Sequence, residues 1–67
     1  MDNKIGSTLA DLRKQRGISQ EKLAKDLDIS VSAVRKYEYG ERTPSDDTKM
    51  IIARYYGKTV GELFFGE

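Results

Sequence analysis

Hydroxyl residues stand at the start of short amphipathic runs in this chain (Ser19, Ser30, Ser45, Thr59), and glycines stand at the end of others (Gly17, Gly40, Gly57). This punctuation constrains the fold more than any other feature. A hydroxyl oxygen accepts the free N–H groups of a helix's first turn, and glycine adopts the left-handed geometry that stops a helix. The chain therefore divides into five short helical segments, with no alternating stretch long enough to argue for a strand.

In "KIGSTLADLRKQRG", Ile5, Leu9 and Leu12 recur at helical spacing, basic residues crowd the last turn, and Gly17 closes the segment. In "SQEKLAKDLDI", Ser19 caps, Glu21 suits the positive end of the helix dipole, and Leu23, Ala24 and Leu27 form the inner stripe. A third segment opens at Ser30 and stops at Gly40, after which "ERTP" is a loop because Pro44 disfavours helix before it. Ser45 caps the fourth, with Asp46 and Asp47 in its first turn and Met50, Ile52, Ala53 and Tyr56 expected to face inward. Thr59 and Glu62 stand at capping-box spacing ahead of Leu63, Phe64 and Phe65, and Gly61 costs this last helix about 1 kcal/mol against alanine. The expectation is an all-α, compact five-helix bundle forming one domain over residues 1–67.

Composition removes several functional classes. The chain has no cysteine and no histidine, which excludes disulfides, thiolate zinc sites and Ser-His or Cys-His catalysis among its own residues. The carboxylates are scattered, and no nucleophile, metal cluster or phosphate loop is visible, so the chain is not expected to be an enzyme. No cofactor, metal or small-molecule ligand is implied. No apolar run approaches the roughly 20 residues of a membrane span, and the start lacks the apolar centre of a signal peptide, so a soluble cytoplasmic protein is expected. At 67 residues a single domain is expected, without a second, sensing one. Net charge is only +1; nine basic against seven acidic residues in 1–42, and three against four in 43–67, make any basic footprint local.

That footprint is sought on the third helix, "SVSAVRKYEYGER". At about 100° per residue, Ala33, Val34 and Tyr37 share an arc of roughly 100°, the width of a core-facing stripe. The opposite arc, roughly 140° wide, gathers Val31, Ser32, Arg35, Lys36 and Tyr39. A major groove offers thymine methyls, guanine acceptors and flanking phosphates, and these side chains supply a group for each. The same face also reads as a rim contact by Val31 beside solvated cations. Spacing with the second helix adds weight to the first reading: in "QEKLAKDLDISVSAVRKY", Ala24 is the small residue a helix-turn-helix needs where the second helix approaches. Asp28 stands at the turn position usually filled by glycine, which strains the turn slightly.

These residues resemble the Cro and phage-repressor (XRE-type) helix-turn-helix family, of the lambda-repressor-like fold. The resemblance is carried in order by "LRKQRGISQEKLAKDLDIS", "VSAVRKYEYGERTPS" and "IARYYGKTVGELF", with the helix-turn-helix at about residues 19–38. It implies that Gln20 and Ser30 bond phosphates at the starts of the second and third helices, and that Val31, Ser32 and Lys36 read bases. Arg35 beside them is able to reach a base or a phosphate. Arg42 and Thr43 would follow the DNA backbone in the loop; Tyr39, on the outward arc of the third helix, is read from its place there as a further phosphate contact. Arg13 and Glu38 would form an internal ion pair, a reading that competes with a DNA role for Arg13. Asp46, Lys49 and Ile51 depart from the family's pattern, so the inner face of the fourth helix is expected to be rotated or incomplete, with exposed apolar surface there as a contact candidate.

The function expected is a sequence-specific DNA-binding transcriptional regulator, a repressor acting by occupancy as a homodimer on a pseudo-palindromic operator in double-stranded DNA. Tyr55 and Phe65 are the dimer candidates, whereas Tyr56 and Phe64 also read as core closure. The alternative is a protein-interaction or antitoxin-like module on the same bundle, with weak or no DNA binding.

Overall fold

Each hydroxyl residue expected to open a helix does so in the computed structural model, which describes residues 4–66. Ser19, Ser30, Ser45 and Thr59 have extended backbone and accept the N–H groups of Lys22, Ala33, Thr48 and Glu62 on their side-chain oxygens. Each such cap stabilises a helix start by about 1 kcal/mol. The helices are α1 (Lys4–Gln15), α2 (Gln20–Leu27), α3 (Val31–Glu38), α4 (Asp46–Tyr55) and α5 (Val60–Phe64), with no strand among the described residues. Helix α5 is too short to persist alone. It is held at its start by the full capping box, in which the Thr59 N–H donates to Glu62 Oε1 at 2.9 Å.

The helix ends also share one geometry. Residues 17, 28, 40 and 57 follow α1 to α4 in the left-handed region. After α1 and α2 the next N–H reaches back into the helix, from Ile18 to the Arg13 carbonyl at 3.4 Å and from Ile29 to the Ala24 carbonyl at 3.0 Å. This arrangement satisfies carbonyls that would otherwise lack partners and turns the following side chain under the helix. Ile18 and Ile29 accordingly pack against the core. Asp28, at φ 57° and ψ 45°, takes the left-handed position between α2 and α3.

Helices α2 and α3 pack most extensively on each other, α1 lies against α3 and α5, and α4 contacts α2 and α5. Leu9, Leu23, Leu27, Val34, Ile52 and Phe64 are among the buried residues, and Ala24 is buried at 4% exposure, so α2 and α3 approach over a small side chain. Tyr56 and Phe64 are both core members, as the core-closure reading had them. Ile5 lies at the exposed end of the α1 stripe, beyond buried Leu9.

The inner face of α4 corrects one expectation. Met50, expected inside, is 53% exposed, whereas Ile52, Ala53 and Tyr56 are buried. At about 100° per residue, positions 49, 52, 53 and 56 share one arc of roughly 100°, and 50 and 51 fall outside it. The position in the stripe that Met50 does not fill belongs to Lys49. Its side chain is 14% exposed, and its ammonium lies 5.6 and 5.2 Å from the Phe64 and Phe65 ring centroids. The aliphatic stem does the covering while the charge rests on aromatic faces.

Candidate nucleic-acid interface

The outward face of α3 is built from the core side. Val34 and Tyr37 are buried and hold the helix down, and Ala33 is half-buried beside them. Ser32, Arg35, Lys36 and Tyr39 are exposed, while Val31 is half-buried and packs on the core, so the apolar member of the face is also a rim contact.

Beneath this face runs a charged network. Glu38, only 5% exposed, accepts from Arg13 Nε at 2.7 Å and from Arg13 Nη2 at 3.2 Å, a two-point contact. Arg13 Nη1 donates to the Ile18 carbonyl at 2.9 Å, so one guanidinium joins α1, the α1–α2 turn and α3. The hydrogen bond with Glu38 pushes the Arg13 pKa further up, against the opposing effect of burial. A carboxylate this deep needs such partners, because burying a charge unpaired costs several kcal/mol.

Gln20, the first residue of α2, extends the network: its Nε2 donates to Glu38 Oε1 at 3.0 Å, and its Oε1 accepts from Arg35 Nε at 3.3 Å. Arg35 also lies 3.5 Å from a Glu21 carboxylate oxygen. The α2 start, Gln20 and Arg35 are thereby brought together on one surface. Ser30, at the α3 start, accepts from Ala33 N–H at 3.0 Å and keeps its own O–H to donate. Arg42 and Thr43 are exposed in the loop after α3. That loop hangs from the helix end, with the Glu41 and Arg42 N–H groups both donating to the Lys36 carbonyl at 2.9 and 3.3 Å, while Pro44 is buried.

The long-range contacts of the site region have no local sequence signal. Gln20 meets Glu38 across 18 positions and Arg35 across 15. The Tyr55 hydroxyl donates to Asp26 at 2.7 Å while Arg16 stacks 4.6 Å from its ring centroid, so this dimer candidate is largely engaged within the chain. Phe65, the other, is 64% exposed. Met50, expected inside, and Ile51, marked by its departure from the family's pattern, are exposed at 53% and 46% and add apolar surface beside the two dimer candidates. Among the described residues there is no group of three or more potential metal-binding side chains, and no helix is long and apolar enough to cross a membrane.

Two capped helices of eight residues each, joined by residues 28–30 and packed over a small alanine, define a helix-turn-helix protein. Residues 9–63 match the helix-turn-helix family, and the chain belongs to that family, in its XRE-type form. It is 34% identical over 59 residues to the HTH-type transcriptional activator BcrR of Enterococcus faecalis, covering 88% of this chain and 29% of that protein. It is 32% identical over 59 residues to the cryptic phage CTXphi transcriptional repressor RstR of Vibrio cholerae, covering 88% and 53%. It is 35% identical over 63 residues to the HTH-type transcriptional regulator DdrOP3 of Deinococcus deserti, covering 94% and 49%. The chain thus spans between about a third and a half of the length of these relatives.

Proposed function

We propose that this chain is the DNA-binding unit of a cytoplasmic, sequence-specific transcriptional regulator that binds as a homodimer to a pseudo-palindromic operator and represses by occupancy. One observation carries the reading: the exposed donors of α3 share a surface with the start of α2, and a buried ion pair fixes both from below. In this reading Val31, Ser32, Arg35 and Lys36 face bases, and Gln20, Ser30, Tyr39, Arg42 and Thr43 face the phosphate backbone. Family membership and the names of the relatives support a regulatory role. The reading contains no catalytic step.

The exposed apolar residues favour a protein contact as well, which is where the interaction-module alternative finds its support. We assign that contact to a second copy, through Phe65 and the α4 residues Met50 and Ile51, with Tyr55 at most at its edge. A dimer would set two α3 helices about 34 Å apart along one DNA face, so half-sites should lie about one turn apart.

Selection of bound sequences from random duplex DNA tests this directly: a palindromic consensus is expected, and enrichment of no sequence would favour the interaction module. Affinity should fall steeply with salt as phosphate contacts release counterions. Lys36→Ala should cost about 1 to 3 kcal/mol and relax preference at one base pair.

A further inference from the structure

Amide orientation in Gln20 is fixed twice over. Glu38 is a carboxylate with acceptors to offer, so the Gln20 amide turns its nitrogen toward it, at 3.0 Å. Arg35 has only donors, so the amide oxygen faces Arg35 Nε, at 3.3 Å. Both neighbours demand the same orientation, and Glu38 is itself held by Arg13 at 2.7 Å. The chain of contacts runs from the buried end of α3, through the first residue of α2, and back to the exposed middle of α3.

This chain decides which edge of Arg35 is left over. A guanidinium offers one edge from Nε and an Nη, and a second, end-on edge from the two Nη atoms. Here Nε is directed at Gln20, and Nη2 lies 3.5 Å from Glu21 Oε2, so the Nε side is turned to the protein. The end-on pair is the edge left for a ligand, and two parallel N–H donors match the O6 and N7 acceptors of guanine in the major groove.

We propose that Gln20, oriented by Glu38, is a positioning residue that presents Arg35 end-on to a guanine in each half-site. The proposal rests on the DNA-reading function above and deepens it. It gives Arg35 a base in place of a choice between base and phosphate, and gives Gln20 a role in specificity as well as in backbone contact, through its second N–H.

The experiment uses the full chain, with Gln20→Met, Arg35→Ala and the double variant, each checked for folding by circular dichroism. Bound sequences are selected from random duplexes, and affinities are then measured for single-base changes. Wild type should show a guanine whose preference Arg35→Ala removes, a loss of at least about fivefold. Gln20→Met should weaken preference at that same base pair and no other, on top of a uniform loss of affinity, and the double variant should lose no further discrimination there. In the free protein, the Arg35 Nε–H resonance should shift in Gln20→Met.

If Arg35→Ala leaves every base preference intact, or removes a preference for a base other than guanine, the reading role assigned to Arg35 falls, and the proposal with it. If Arg35→Ala removes a guanine preference but Gln20→Met lowers all affinities equally and leaves the Nε–H signal in place, the positioning role falls and DNA reading stands.

Discussion

Helices α3 and α4 both turn one stripe into the same core and differ in what they leave outside. Along α3 the exposed side chains include Ser32, Arg35 and Lys36, hydrogen-bond donors that water solvates well. Along α4 they include Met50 and Ile51, apolar groups that gain about 25 cal/mol for each Å² removed from water. The supports differ in kind as well. Helix α3 is tied by the ion pair of Arg13 with Glu38, and α4 by an apolar stripe that Lys49 completes with its stem. Polar anchoring fixes direction, because hydrogen bonds tolerate little rotation, whereas apolar packing fixes mainly depth. The helix proposed to meet base edges has the directional support.

The largest effect should come from breaking that support. Arg13→Ala leaves Glu38 buried without its two-point partner and should cost about 3 to 5 kcal/mol in urea or thermal denaturation. A loss below about 1 kcal/mol would mean that α3 is held by packing alone, and the contrast with α4 would collapse.

On the other side of the comparison, Ile51→Lys should change stability by no more than about 0.5 kcal/mol, since Ile51 is 46% exposed. If α4 meets a second copy, the same substitution should weaken self-association by about tenfold or more in sedimentation experiments. Unchanged association would move the contact elsewhere.

How much of this was written in the sequence depended on range. The caps at Ser19, Ser30, Ser45 and Thr59 act within three residues of themselves, and sequence order alone supplies both partners. The left-handed Asp28 was legible for the same reason. Helix α4 was read less well because Met50 looks like a core residue and Lys49 does not. Counting by residue type missed that a lysine stem can lie under two rings. The contacts of Gln20 with Glu38 and Arg35 were out of reach, because no local pattern says which buried carboxylate a helix-start glutamine will meet. The face count and the resemblance together supplied the residues of the candidate interface, and the resemblance the pairing of Arg13 with Glu38, but neither supplied the contacts of Gln20.

Tyr56 closes the end of α4 within the core, and its hydroxyl is buried with no hydrogen-bond partner among the described residues. Burial pushes its pKa up to about 12, with smaller contributions from Tyr55 and Glu38. Because an unfolded tyrosine ionises near pH 10, the folded form retains its proton longer, and stability must fall as pH rises from about 10 to 12. Tyr56→Phe should remove this part of the alkaline loss, read as a shallower fall of the urea midpoint between about pH 10 and 12. At neutral pH the same change should be worth less than about 1 kcal/mol in either direction, since it deletes a hydroxyl that makes no bond.

The smallest effect expected is at the helix ends, where the turns beside α3 and α4 use different residues for one geometry: Asp28 precedes α3, and Gly57 follows α4 at φ 67°. Asp28→Gly relieves a side chain held in the left-handed region, where an ordinary residue loses about 1 to 2 kcal/mol and aspartate less. It also frees the unfolded chain, which costs about 0.4 to 1 kcal/mol. The terms oppose, so the urea midpoint should move by no more than about 0.5 kcal/mol equivalent. Gly57→Asp is the converse change, and a Cβ there meets nothing within 4 Å, so only backbone strain opposes it. Its loss should also stay below about 1 kcal/mol. A gain above about 1 kcal/mol in Asp28→Gly would show instead that the turn before α3 stores strain that the end of α4 does not. DNA affinity measured on the same variant would then tell whether relieving that strain lets α3 shift.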